Sequence, residues 1–386
     1  MKEVLNNVAI VSYGETKFER RSEKSVIELY AEACVEAIRK IGIDKKEIDG
    51  LLANPCAVIS PDSIEFELET ASKISDYLGI KPKLATTMET GAMTVYNQIL
   101  MAAWAIASGY VKFVLCVGGG KFRTGSHVRF VAHPEFELPY GTDIISFYAL
   151  PAVRHMHEYG TTEEQLASVV VSQRKWASMN PNALFWEPLS VDDVLKSPMI
   201  IYPYRLLMCS RPADGAGAII VTSIDRAKEL TDVPIRILGV GEYHTHGWVT
   251  SMPNLVELGS KVAARQAFEM SGLTHKDIDI AMLFDPFAFL PIEHLEDTGF
   301  VKKGEGGKFF EEGRAAPGGD LPINTHGGAL CGVHSGINAG IHHVIEAIRQ
   351  IRGEAGRRQV KNAKRAFIQL HGGMMQHHAT LILTSW

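Results

Sequence analysis

The sequence predicts an α/β protein of two similar halves, and three observations carry that prediction. The stretch Ala33–Pro55, ACVEAIRKIGIDKKEIDGLLANP, has a second version at Ala263–Pro286, AARQAFEMSGLTHKDIDIAMLFDP. Gly42, Ile48 and Asp49 match Gly272, Ile278 and Asp279 at one constant offset. A later pair has the same order, an apolar helix leading to FVLCVGGG in the first half and to FIQLHGG in the second. Alternating strands and helices in this order predict layered α/β structure with mostly parallel sheets, and the repetition predicts duplication.

Each copy opens on a glycine-punctuated apolar strand, VAIVSYGETKF near the N-terminus and IRILGVGEYHT from Ile235. A helix, a glycine turn, a short charged loop and a buried strand follow. The segment Thr86–Gly120 continues with a helix beginning near Ala92, a stop at Gly109 and a strand over Val111–Val117. Residues 120–204 have no counterpart in the second half and read as an inserted cover. Within it, TTEEQLASVVVSQRKW predicts a helix opened by a Thr/Glu capping arrangement. The polar run from Thr222 to Val233 places the boundary between an N-terminal half, 1–225, and a C-terminal half, 226–386.

The 386 residues are 46% hydrophobic, enough for one large duplicated core or two domains. A formal net charge of -5 with scattered lysine and arginine gives no footprint for nucleic acid. No apolar run is long enough to span a membrane and the N-terminus lacks a signal-peptide pattern, so a cytoplasmic location is expected. Five widely spaced cysteines, Cys34, Cys56, Cys116, Cys209 and Cys331, support neither a disulfide framework nor a zinc ribbon. No metal site is expected: His155 and His157 fall on opposite helix faces, and His244 with His246 lacks a third ligand. VGGGKFRTG and LGVGEYHTHG do not complete a dinucleotide-binding fingerprint, and no bound cofactor is expected.

Several long segments together resemble the thiolase superfamily, especially its sterol-carrier-protein and archaeal-type branches. They are VAIVSYGETKF, AIASGYVKFVLCVGGG, FYALPAVRHMHEYGTTEEQLASVVVSQRKWASMNPNA, CSRPADGAGAIIVTS, LEDTGF and NTHGGALCGVHSGINAGIHHVIEAIRQIRGEAG, which cover nearly the whole chain. The resemblance implies a five-layered αβαβα fold of two similar halves, a homodimer, and acyl-CoA substrates, with coenzyme A as substrate rather than bound cofactor. It also implies a small separate zinc-ribbon/OB-fold partner subunit. This branch includes proteins acting on bulky acyl-CoA compounds such as steroid side chains and benzoylsuccinyl-CoA.

The same resemblance assigns the site. Counting from AIASG, Ala92 stands where the family carries its nucleophilic cysteine, and alanine has no thiol to take an acyl group. His334 matches the histidine that activates the nucleophile; at a helix N-terminus it is expected to be neutral. His371 falls at the position of a second cysteine and is an acid or base in its place, or a buried histidine satisfied by backbone. Cys331, three residues before His334, either reaches the same pocket as a thiol or packs as a small hydrophobe. Phe284 replaces a water-positioning polar residue, which leaves Asp285 as a polar candidate there or as a cap on the following helix. Arg123, Arg129 and His127 on the cover loop are expected to meet the phosphates of CoA. Three functions stay open: retro-Claisen thiolysis of a bulky β-ketoacyl-CoA, retro-aldol cleavage of a β-hydroxyacyl-CoA, and acyl-CoA binding without catalysis.

Overall fold

The computed structural model describes residues 1–59, 64–67, 69–122 and 132–385. The first half runs β1 (Val8–Glu15), α1 (Val26–Ile41), β2 (Gly50–Ala53), α2 (Thr70–Leu78), β3 (Leu84–Thr87), α3 (Thr94–Ala107) and β4 (Phe113–Phe122). The cover adds α4 (Ile144–Tyr159) and α5 (Glu163–Ala177) before the chain returns in β5 (Gly215–Ser223). After α6 (Ile224–Leu230), the second half runs β6 (Ile235–His244), α7 (Ser260–Ser271), β7 (Ile280–Leu283), α8 (Phe289–Asp297), α9 (Gly340–Ile351), β8 (Arg365–Gly372) and β9 (His377–Ser385).

The strands lie in the order β7-β8-β9-β6-β1-β5-β4-β2-β3. Read outward from the centre, β1-β5-β4-β2 and β6-β9-β8-β7 are the same arrangement twice, meeting at the single pair Ile10–Ile235. A parallel bridge from Ala281 to Ile323 stands where the second half would carry the equivalent of β3. The sheet is mixed, not mostly parallel. Parallel pairing joins β2 to β3 and β4, β7 to β8, and the short strand Cys56–Ile59 to the end of β4, whereas β5 and β9 each return antiparallel between the first strand of their half and its neighbour.

The duplication extends to single hydrogen bonds. Gly42 and Gly272 end α1 and α7 at φ 66° and 72°, the left-handed conformation that glycine adopts without strain. The Asp49 carboxylate accepts from the amides of Lys112 and Phe113, and the Asp279 carboxylate from those of Lys364 and Arg365, at 2.8 Å for each closest contact. Each aspartate thus fixes the start of a core strand of its own half.

Side-chain alternation along the strands builds five layers. Val114 and Cys116 of β4 face the same core as Ile368 and Leu370 of β8, with α3 and α9 between them. Phe113, Leu115 and Val117 face the opposite way, onto α1 and α2. Phe367 and Leu283 face outward onto α7 and α8, beneath the cover helices. Helices α3 and α9 are buried around nearly their whole circumference because sheet packs on both sides of them; α3 is largely apolar, while α9 carries His342, His343, Glu346 and Gln350 into the interior. The cover is tied down by Trp176, whose indole donates to the Ala315 carbonyl at 3.0 Å, and is braced internally by Tyr204, whose hydroxyl donates to the Tyr148 carbonyl at 3.0 Å. Helix α5 opens on a capping box formed by Thr162 with Gln165, not with a glutamate. Among the described residues no helix is long and apolar enough to cross a membrane, and all five cysteines are free.

Candidate active site

The junction of the two halves brings Ala92, Phe284, His334 and His371 together. Helix α3 starts at Thr94, two residues later than the sequence suggests, because Thr94 folds back: its amide and hydroxyl donate to the Gly91 carbonyl at 3.0 and 2.7 Å. The next amide, Val95, donates to the Asn338 side chain at 3.1 Å, so the second half caps the helix of the first. Ala92 itself is 4% exposed. A Cβ on Gly340 would stand 2.0 Å from the Ala92 carbonyl oxygen, and one on Gly372 would stand 1.9 Å from that of Thr90. Only glycines permit this approach of α9 and β8 to residues 90–92.

His334 does not sit at a helix N-terminus. It lies in a two-residue extended stretch paired with Pro212–Ala213, and Gly336, at φ 62°, turns the chain before α9 begins at Gly340. Its low basicity therefore has another origin: burial first, then the neighbouring His343 and His342, hold it down at about 4. His334 keeps partial exposure, whereas His294, His343 and His371 are closed off from solvent. Its Nδ1 lies 3.0 Å from the Ser210 hydroxyl, and among the described residues Nε2 has no protein partner.

Phe284 is the hub of the cluster. Its ring centroid lies 5.0 Å from that of His371, 5.6 Å from His343 and 5.9 Å from His334. Where the family places a polar group, this chain places an apolar plate among imidazoles.

His371, 1% exposed, is not satisfied by backbone. Its Nε2 lies 3.0 Å from the Tyr148 hydroxyl and its Nδ1 lies 3.1 Å from Nε2 of His294. The Tyr148 hydroxyl donates to the Gly373 carbonyl at 3.1 Å, an atom that only accepts. One set of protons follows: His294 Nε2–H donates to His371 Nδ1, His371 Nε2–H donates to the Tyr148 oxygen, and Tyr148 donates to Gly373. Burial, followed by the neighbouring histidines, holds His371 well below the ordinary imidazole value, and burial does the same to His294.

Asp285 does not cap the helix that follows it. Helix α8 begins at Phe289 with no side-chain cap, and the Asp285 carboxylate reaches back to the Ala329 and Leu330 amides at 2.7 and 3.3 Å and to Nε2 of His343 at 3.2 Å. Those amides belong to the single π-type turn Gly328–Gly332, which delivers the chain to His334. Although these contacts favour its charge, burial raises the Asp285 carboxyl above its usual range. Asp285 positions the turn.

The Cys331 thiol packs into the outer core, 3.8 Å from the Val170 carbonyl of α5, and makes no hydrogen bond to His334. Burial pushes it up to about 11, which makes it a packing residue. Arg123, Arg129 and His127 lie outside the described residues. His244 pairs through Nδ1 with Nδ1 of His377 instead of converging with His246.

The polar contacts of His294, Tyr148, His343 and Ser210 with the site are not legible in the sequence. Each spans more than 50 positions of sequence, so no local spacing announces it. One further grouping, His155 with Glu293 and Glu296, brings potential metal-ligating atoms together. The Lys303 ammonium lies within it, 2.7 Å from Glu293 and 2.8 Å from Asp297, and supplies the positive charge those buried carboxylates need.

A five-layered duplicated core with histidines of the second half gathered over the entry to α3 of the first defines a thiolase-fold protein. Residues 241–385 match the family described as Thiolase C-terminal domain-like. The chain is 34% identical to an acetyl-CoA acetyltransferase of Methanothermobacter thermautotrophicus over 96% of its own length and 97% of that protein's. It is 31% identical to a steroid side-chain-cleaving aldolase of Thermomonospora curvata, over 89% of this chain and 90% of the other. Among solved structures, the Ltp2-ChsH2(DUF35) aldolase matches with a TM-score of 0.85 at 29% identity, covering 99% of this chain and 98% of that one. The chain belongs to the thiolase superfamily, in its sterol-carrier-protein-type branch.

Proposed function

We propose that this chain cleaves a carbon–carbon bond of a β-hydroxyacyl-CoA by a retro-aldol reaction. The observation that carries this is a site with neutral imidazole and no thiol: alanine stands at 92, Cys331 is packed elsewhere, and His334 is partly open with Nε2 unengaged. Thiolysis needs a thiol to take the acyl group. Retro-aldol cleavage needs only a proton carrier.

In this reaction Nε2 of His334 takes the proton of the β-hydroxyl, while Nδ1–H donates to Ser210. The Cα–Cβ bond breaks, Cβ becomes a ketone or aldehyde carbonyl, and the electron pair passes into the thioester enolate. The imidazolium then returns its proton to Cα, giving a shortened acyl-CoA. A histidine held near 4 is neutral at pH 7 and free to accept; so low a value makes it a weak base, but its conjugate acid gives the proton up readily to Cα. His371, locked by Tyr148 and His294, is a positioning residue behind the Phe284 plate. The similarity to a steroid side-chain-cleaving aldolase supports this reading.

The chain works as a homodimer with acyl-CoA as ligand and with a small zinc-ribbon/OB-fold subunit. The Ltp2-ChsH2(DUF35) aldolase, whose name joins two components, supports the second partner. The test is product analysis of the full chain, alone and with such a subunit, on β-hydroxyacyl-CoA and β-ketoacyl-CoA series. Carbonyl product with shortened acyl-CoA and no free CoA consumed is the expected result. CoA-dependent thiolysis alone would remove the proposal.

A further inference from the structure

Three guanidinium groups converge on one aromatic ring, Phe185, whose amide bonds to the turn that precedes His334. The Cζ atoms of Arg20, Arg211 and Arg174 lie 5.0, 5.2 and 5.8 Å from the centroid of Phe185. Cation–π attraction accounts for each contact singly, but not for three like charges converging on one ring. Among the described residues no carboxylate forms an ion pair with any of the three. Arg174 is 6% exposed; one of its terminal nitrogens donates to the Glu187 carbonyl at 2.9 Å and the guanidinium neighbours the Cys331 thiol, while its buried Nε makes no hydrogen bond. Burial, and then the like charges of Arg20 and Arg174, depress the Arg211 guanidinium below its ordinary value.

The cluster is built onto the site. Arg211 follows Ser210, whose hydroxyl meets His334. The amides of Leu184 and Phe185 donate to the carbonyls of Gly332 and Cys331 at 3.1 and 3.2 Å, so Phe185 is pinned to the turn that carries His334. Phe18, Ala213 and Val333 pack together, with Leu184 against them. Arg20 is exposed and Arg211 and Phe185 are half-buried, which leaves the cluster open to a ligand.

We propose that Arg20, Arg174 and Arg211 form a subsite for a carboxylate carried on the acyl chain, so that the preferred substrate is a CoA thioester of a dicarboxylic acid. The inference rests on the acyl-CoA reading above. CoA phosphates are the other anions at hand, but the pantetheine arm holds them at the far end of the molecule from the thioester. A subsite one residue from the contacts of His334 matches the acyl end. Guanidinium forks bind carboxylates through two parallel hydrogen bonds, the geometry that a carboxylate offers and a neutral chain lacks.

The test compares three probes by titration calorimetry on the full chain: CoA, S-butyl-CoA and S-(3-carboxypropyl)-CoA, the last two being stable thioethers. The carboxypropyl form is expected to bind roughly tenfold tighter than the butyl form. In Arg211→Gln, and in the exposed Arg20→Gln where folding is not at stake, that advantage falls to about twofold or less while CoA affinity is unchanged. Equal affinity for the two thioethers in the unsubstituted chain overturns the subsite and leaves the acyl-CoA reading standing. A loss of CoA affinity as large as that of the carboxypropyl form places the arginines on phosphate and overturns it too. No binding of any of the three removes the acyl-CoA reading itself.

Discussion

Nδ1 of His371 and Nε2 of His294 face each other at 3.1 Å in an interior closed to water. Two imidazolium rings cannot share that space, and burial leaves both neutral. With Tyr148 anchoring one end on the Gly373 carbonyl, every proton in the row has one direction. The row is a fixed wall, and the proposed proton transfer is left to the one histidine of the cluster that stays partly open.

Replacement of that residue tests the assignment. His334→Ala is expected to lower kcat for β-hydroxyacyl-CoA cleavage by about 10²- to 10⁴-fold. Its affinity for a CoA thioether should stay within about threefold, since the lost group carries a proton rather than anchoring the ligand. Kinetics paired with calorimetry check both, and an equal loss of binding would reassign His334 to the binding surface.

Tyr148→Phe removes the hydroxyl that joins His371 to Gly373. The buried His371 nitrogen loses its partner at a cost of about 1–3 kcal/mol, and the part-buried Gly373 carbonyl loses one at less. Thermal unfolding should show a lowered Tm, and kcat should fall less than in His334→Ala. An unchanged Tm would mean that water takes the place of the hydroxyl.

Ala92→Cys puts a thiol at the entry to α3. If the rest of the site keeps thiolase geometry, incubation with a β-ketoacyl-CoA should acylate residue 92, visible as a mass increase on the peptide that contains it. No adduct with any acyl length would show that the Phe284 plate and the His371 row have closed the covalent route.

Stability should respond to mild acid. His334 at about 4, His378 at about 3, and His294, His326 and His371 well below the ordinary value all stay neutral in the fold while their unfolded counterparts titrate near 6.5. The unfolded chain therefore binds more protons as pH falls. Stability is full above about pH 6.5 and drops from there toward the folded values, by about 1.4 kcal/mol per pH unit for each such histidine. Tm measured from pH 8 to pH 5 should begin to fall near pH 6.5; a plateau down to pH 5 would contradict the buried neutral cluster.

Much of the frame was legible because duplication repeats local signals. Gly42 and Gly272 end their helices as the matched spacing predicts, and Asp49 and Asp279 perform the same task in each half. The cover helix α5 also follows from its Thr162 cap. The site was legible only in part. His334 and His371 were found through the resemblance, but the environment of each depends on contacts between distant segments. The π-type turn Gly328–Gly332 held by Asp285 has no periodicity to betray it, and the direction of the Cys331 thiol follows from that turn. The start of α9 was misplaced because Gly336 reverses the chain after His334, a turn that the surrounding apolar pattern conceals.

The carbonyl of Ala92 lies where even a methyl group on Gly340 would collide with it. That contact involves the main chain of residue 92 and not its side chain, so the platform is indifferent to which side chain stands on it. A lineage could exchange the reactive group there while the scaffold around it stayed still. Substitutions at Gly340 and Gly372, which carry no reactive group themselves, would be barred all the same.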